Sequence, residues 1–72
     1  MNRFNPEKLL HSKWTAVVPA KKRKHFIVVE LLRGGEDLRV VGCILEAVID
    51  KQRFQMELCD LKLVEHWRQG GR

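Results

Sequence analysis

No stretch of this 72-residue chain approaches the ~18 consecutive apolar residues that a membrane-spanning helix needs. The N-terminal region also lacks the apolar core of a signal peptide. Cysteine is scarce, with two in all, and no C-x2-C or H-x3-H pair marks a structural zinc site. Two thiols without a secretion signal or a disulfide framework predict a reducing, cytoplasmic setting. The nucleophile elbow G-x-S-x-G, the phosphate-binding P-loop and the zinc-protease pattern H-E-x-x-H are all missing. A chain this short has little room for an enclosed pocket of ~300 Å³ or more. A non-catalytic protein is expected, with no cofactor, no metal and no membrane partner. Repeats and low-complexity tracts are absent too, so residues 1–72 are expected to form one small domain.

What is present is alternation. Val41, Cys43, Leu45, Ala47 and Ile49 are all apolar at a spacing of two. Beyond the polar residues 50–53, Phe54, Met56 and Leu58 are apolar, with Gln55 and Glu57 between them. Period two marks a half-buried strand, because successive side chains point to opposite faces. Arg39–Leu61 reads as one long hairpin. A four-residue tip over 50–53 pairs Ile49 with Phe54, Ala47 with Met56 and Leu45 with Leu58, which puts both apolar sets on one face. The tip lacks Asn-Gly and Asp-Gly, so a type I turn in a four-residue loop is expected. The same register puts Cys43 and Cys59 on opposite faces, which predicts two free thiols.

The rest of the chain is placed against this hairpin. Asn5-Pro6 is a helix start, and Leu9 and Leu10 would cover an end of the sheet. Lys13–Val18 reads as a strand with Trp14, Ala16 and Val18 on one face, stopped by Pro19. A basic loop, Ala20–Lys24, follows. His25–Leu32 is a second strand, with Phe26, Val28 and Leu32 on one face and His25, Ile27, Val29 and Leu31 on the other. A turn over 34–37 pairs Arg33 with Leu38, which sets Phe26 beside Leu45, Val28 beside Cys43 and His25 near Glu46. Residues 60–67 read as a short helix or a final strand, and residues 1–4 and 68–72 as flexible ends. The fold class is all-β or mainly β: a small curved antiparallel sheet or partly open barrel of about four or five strands, with short terminal helical turns. Its second face, Val40, Ile44 and Val48, is too apolar to lie bare. Strong curvature, closure or a terminal segment folded across it is expected.

The net charge of +5 is uneven. Residues 1–24 carry seven Lys/Arg against one acid, whereas residues 25–72 carry seven against eight. A one-sided basic field points to an anionic partner. The run Lys21, Lys22, Arg23, Lys24 would contact nucleic-acid phosphates, RNA or single strands, with Lys8 and Lys13 joining and Trp14 or Trp67 as stacking surfaces. The plainer alternative is a solvated loop that protects a sheet edge. Each tryptophan has a plainer role as well, filling an end of a small core. A second functional reading is a protein-interaction or self-assembly module, a homodimer included, that uses a sheet edge and an exposed tryptophan. His11, His25, His66, Cys43 and Cys59 form no ligand pattern. Cys43 suits a core position, and Cys59 an exposed, oxidisable one.

Residues 5–19, N-P-E-K-L-L-H-S-K-W-T-A-V-V-P, followed by Lys24-His25-Phe26-Ile27-Val28, Leu45-Glu46-Ala47-Val48 and Trp67-Arg68-Gln69-Gly70, resemble a family of small tryptophan-rich bacterial proteins of unknown function. The resemblance spans most of the chain and is specific in its first half. It departs at Leu58-Cys59, where the family pattern has a further tryptophan, and at Gly71-Arg72, which stands for Gly-Trp. If those tryptophans form a shared surface, it is reduced here. The resemblance implies a cytoplasmic bacterial protein and brings no activity, ligand or catalytic residue.

Overall fold

The computed structural model describes residues 2–70. Asn5 caps a single 3-10 turn over Pro6–Lys8, where its side chain accepts a hydrogen bond from the Glu7 N–H at 3.0 Å. Five strands follow: β1 (Lys13–Ala20), β2 (Arg23–Gly34), β3 (Arg39–Ala47), β4 (Arg53–Glu57) and β5 (Trp67–Gln69). A one-turn helix, α1 (Leu58–Leu61), separates β4 from β5. All neighbours are antiparallel, in the order β4-β3-β2-β1-β5, and the sheet stays open with β4 and β5 as its edges. Residues 60–67 therefore contain the end of a helix and the start of a strand, joined by a turn.

One face carries the core, as the alternation predicts. Trp14, Phe26, Val28, Cys43, Leu45 and Ala47 meet Leu9, Leu61 and Trp67 there, with Phe4 and Met56 packed against them. Six side chains, Leu9, Trp14, Val28, Cys43, Leu45 and Leu61, are wholly enclosed. Burial of this kind contributes about 1.5–3 kcal/mol for each large apolar side chain. The terminal segments fold across this face. Leu10 stays outside it, largely exposed. Asn2 donates through its side chain to the carbonyls of Leu61 and Trp67 at 3.0 and 2.8 Å, and Phe4 meets the Trp14 ring edge-on at 5.6 Å. At the other end the Gly70 N–H donates to the Lys13 carbonyl at 2.8 Å; Met1, Gly71 and Arg72, part of the ends expected to be flexible, lie outside the described residues. On the other face Ile44 is half-buried and Val48 is 46% exposed; a bulge at Val41, between the Leu32–Gly42 and Arg33–Val40 pairings, takes Val40 off this face, so Val40 is buried and Val41 exposed, the reverse of the expectation. The described terminal segments are engaged on the first face and do not cover this one, so of the three coverings expected, the terminal segment is not seen among the described residues.

The registers differ from those read off the pattern. Phe26 pairs with Ala47 and not Leu45; Val28 pairs with Leu45. Leu45 pairs with Phe54, where Ile49 had been expected. Each of these shifts is an even number of residues, so Phe26, Val28, Leu45 and Phe54 keep their faces; from Glu30 to Leu32 the β2–β3 shift is odd. The β3–β4 tip does span four residues, but 48–51 and not 50–53: the Ala47 N–H donates to the Gln52 carbonyl at 2.8 Å. Asp50 fixes the far side of the observed tip. Its carboxylate accepts from the Gln52 N–H at 3.1 Å, an Asx turn that holds Asp50 within the tip, and Lys51 takes φ +63°. A bulge at Val29, between the Val28 and Glu30 pairings, turns Leu31 onto the core face, correcting its assignment to the other one. His25 lies opposite Thr15, not near Glu46, whose carboxylate instead accepts from Arg53 at 3.3 Å.

Pro19 does not stop β1. Between Thr15 and Ala20 the strand leaves β2, so no ladder bond is required of the proline nitrogen. Over this stretch β1 pairs with β5 at Ala16–Trp67. The basic loop contracts to a two-residue turn between Ala20 and Arg23, and Lys21 and Lys22 both take positive φ, +52° and +64°. That is the type I′ geometry, usually supplied by Asn-Gly.

Gly42 in β3 is required by its neighbour. A Cβ there would meet the Met56 carbonyl oxygen at 2.8 Å, backbone that cannot yield without moving β4. Gly42→Ala is expected to destabilise the fold by about 1–3 kcal/mol in a denaturant titration.

Candidate nucleic-acid interface

Consecutive hairpins put alternate turns at the same end of a sheet. The Lys21-Lys22 turn and the 48–51 turn are therefore neighbours, and the Val48 N–H donates to the His25 carbonyl at 2.9 Å. Arg23 joins them. Its Nε donates to Asp50 Oδ2 at 2.8 Å, and its guanidinium lies 5.3 Å from the centre of the Phe54 ring. Burial pushes the Asp50 carboxyl up, but hydrogen bonds from Gln52 and Arg23 outweigh it and hold its pKa below the ordinary value. Arg23 is thus committed to the fold and lies within β2, as does Lys24.

The cations left over are Lys21, Lys22, Lys24 and Lys51. All are exposed. The ion pairs among the described residues are Arg23–Asp50, Arg33–Glu7 and Arg53–Glu46, so none of these four lysines is paired there. The opposite end of the sheet carries Glu36 and Asp37 in the β2–β3 turn and Glu57 and Asp60 at α1. Those acids share their end with Arg33, Arg39 and Lys62, whereas the 21–22 and 48–51 turns hold one acid between them, Asp50, engaged by Arg23.

Lys8 and Lys13 do not join the cluster. They line a separate hollow of about 530 Å³ with Trp14 and Gln69. Lys13 pairs with Ile27, four residues along β2 from Arg23, or roughly 13 Å at the usual rise per residue. Neither tryptophan is a stacking surface. Trp14 is 1% exposed, with its indole N–H bonded to Ser12 Oγ at 3.0 Å. Trp67 is 9% exposed and sits edge-to-face on Phe26 at 5.2 Å. Both fill the core, the plainer of the two roles weighed for them. An open groove of about 370 Å³ runs between β4 and the end of β1, lined by Phe26, Phe54, Met56, Trp67 and Val18, the last 78% exposed. Lys51 is the contributor that the linear pattern passes over. It is separated from the KKRK run in sequence and reaches it only through the hairpin topology.

Among the described residues no group of three or more His, Cys, Asp or Glu is placed to hold a metal ion, and no helix is long and apolar enough to cross a membrane. Both thiols are free, Cys43 buried and Cys59 exposed on α1. The Cys59 thiol donates to Glu57 at 3.5 Å, and that bond, with the nearby carboxylates, pushes its pKa up. Burial does the same for Cys43. Only the thiolate reacts. A thiol reagent at neutral pH is expected to label Cys59 more slowly than a free cysteine, with the rate still rising beyond the ordinary cysteine range, and to label Cys43 only on unfolding. Mass spectrometry of a labelling time course reads both.

A family model described as Tryptophan-rich protein (DUF2389) matches residues 12–71. No curated protein and no solved structure matches the chain.

Proposed function

The chain belongs to this tryptophan-rich family, whose function is unknown, and we propose that it is a non-catalytic module that binds nucleic acid, RNA or single strands, through the basic end of its sheet. The observation that carries this reading is that Lys21, Lys22 and Lys51 from two adjacent turns, with Lys24 next to them in β2, stand at one end of the sheet, where the one acid of these turns, Asp50, is neutralised by Arg23. Lysine side chains held this way release counterions from a phosphate backbone and give affinity without sequence preference. The aromatic contribution expected from the tryptophans drops out, since both are buried. Binding then rests on phosphate contact at this end, and Lys8 and Lys13 add to it only for a strand long enough to follow β1.

Fluorescence anisotropy with mixed single-stranded oligonucleotides tests this. At ~50 mM salt the protein is expected to bind, with log K falling against log salt at a slope of about −2 to −3, corresponding to roughly three or four phosphates. Lys21→Asn with Lys22→Gly relaxes the strained turn and is expected to stabilise the fold by about 1 kcal/mol. The same pair should weaken binding and flatten the slope, which separates a loss of contact from a loss of folding. Absence of binding at ~50 mM salt, or a slope unchanged in this variant, refutes the assignment.

A further inference from the structure

The unpaired edge of β4 carries an independent inference. The Ala47–Gln52 hydrogen bond sets the phase of the ladder: Phe54 and Met56 turn their backbone groups towards β3, and Arg53 and Gln55 turn theirs outward. Neither lysine nor proline interrupts this edge, and no described segment covers it. Its sequence, Arg53-Phe54-Gln55-Met56-Glu57, is complementary to itself when read backwards.

We propose that β4 pairs antiparallel with β4 of a second copy of this chain, about a two-fold axis at Gln55. In that register Arg53 faces the second copy's Glu57, and Glu57 faces the second copy's Arg53. Phe54 and Met56 meet on the concave face. The outward backbone groups of Gln55 bond to those of the second copy's Gln55. A register centred on Phe54 sets Arg53 against Gln55, and one centred on Met56 sets it against α1; both lose the charge match. Arg53 already touches Glu46 at 3.3 Å, but its side chain remains 63% exposed and is free to bridge two carboxylates. The two open grooves next to β4 then lie on one continuous sheet face. Pairing by a single five-residue strand buries less than the ~1,200 Å² of most stable complexes, so the dimer is weak, with a Kd of order 10–100 µM.

Sedimentation equilibrium of the full chain over about 5–500 µM tests this. A monomer–dimer equilibrium is expected. Gln55→Lys sets two cations on the axis and should raise the Kd about tenfold or more, while far-UV circular dichroism stays unchanged. In a Glu46→Gln background, Glu57→Arg should weaken the dimer similarly, and adding Arg53→Glu should restore it to within about threefold. A chain that stays monomeric at ~500 µM, a dimer indifferent to Gln55→Lys, or a charge swap that fails to restore association overturns the proposal.

Discussion

Arg23 and Asp50 tie two turns of the sheet together, and much of the molecule's character at that end follows from their contact. Asp50 holds itself in the tip by accepting from the Gln52 N–H, which starts β4 where it does and sets its register against β3. Arg23 then neutralises Asp50 and lies over Phe54, the outermost member of the edge-to-face series Phe54–Phe26–Trp67 across the concave face. Energetically the contact is small. Water screens the ion pair and reaches the ring. The buried side chains of the core outweigh both. The contact decides position: which residues form the tip, and which cations are left without a partner.

Those unpartnered cations give the proposed function its physical basis. Three lysines from two turns and a fourth, Lys24, in β2 stand at one end, and the one acid of these turns is engaged. The strain at Lys21 and Lys22 is consistent with this, because a turn chosen for stability alone would carry Asn-Gly. The hydrophobic contribution belongs elsewhere. Both tryptophans are spent on the core of a chain that has few other large side chains to fill it, so affinity at the basic end would be electrostatic and sensitive to salt.

Alternation along Cys43–Ala47 and Phe54–Met56, and in Phe26–Val28, located the strands and their inward faces correctly, and with them the mainly β class; it failed at Val41, which a bulge turns outward, and at Leu58, which begins α1. It could not locate the registers. A strand moved by two or four residues presents the same faces, so apolar pattern distinguishes odd shifts from even ones and nothing finer. What chose among the even registers was local: the Asx turn at Asp50, the positive φ of Lys51 and the bulge at Val29. None has a hydrophobic signature. For the same reason the Lys21-Lys22 turn passed for a longer loop, since lysine is not a residue that announces a left-handed backbone. The basic cluster was half legible. Lys21, Lys22 and Lys24 stand in a run, but the loss of Arg23 to Asp50, the gain of Lys51 and the distance to Lys13 depend on which turns become neighbours.

The central claim is that the two turns joined by Arg23 and Asp50 form one anion-binding end. Amide shift perturbation by NMR, with a short single-stranded oligonucleotide added at low salt, tests it residue by residue. The account predicts that shifts concentrate at residues 20–25 and 48–53 together, and that Glu36, Asp37 and the hollow beside Lys8 and Lys13 stay quiet. Perturbation confined to the 21–24 turn, centred on Lys8 and Lys13, or absent throughout contradicts it.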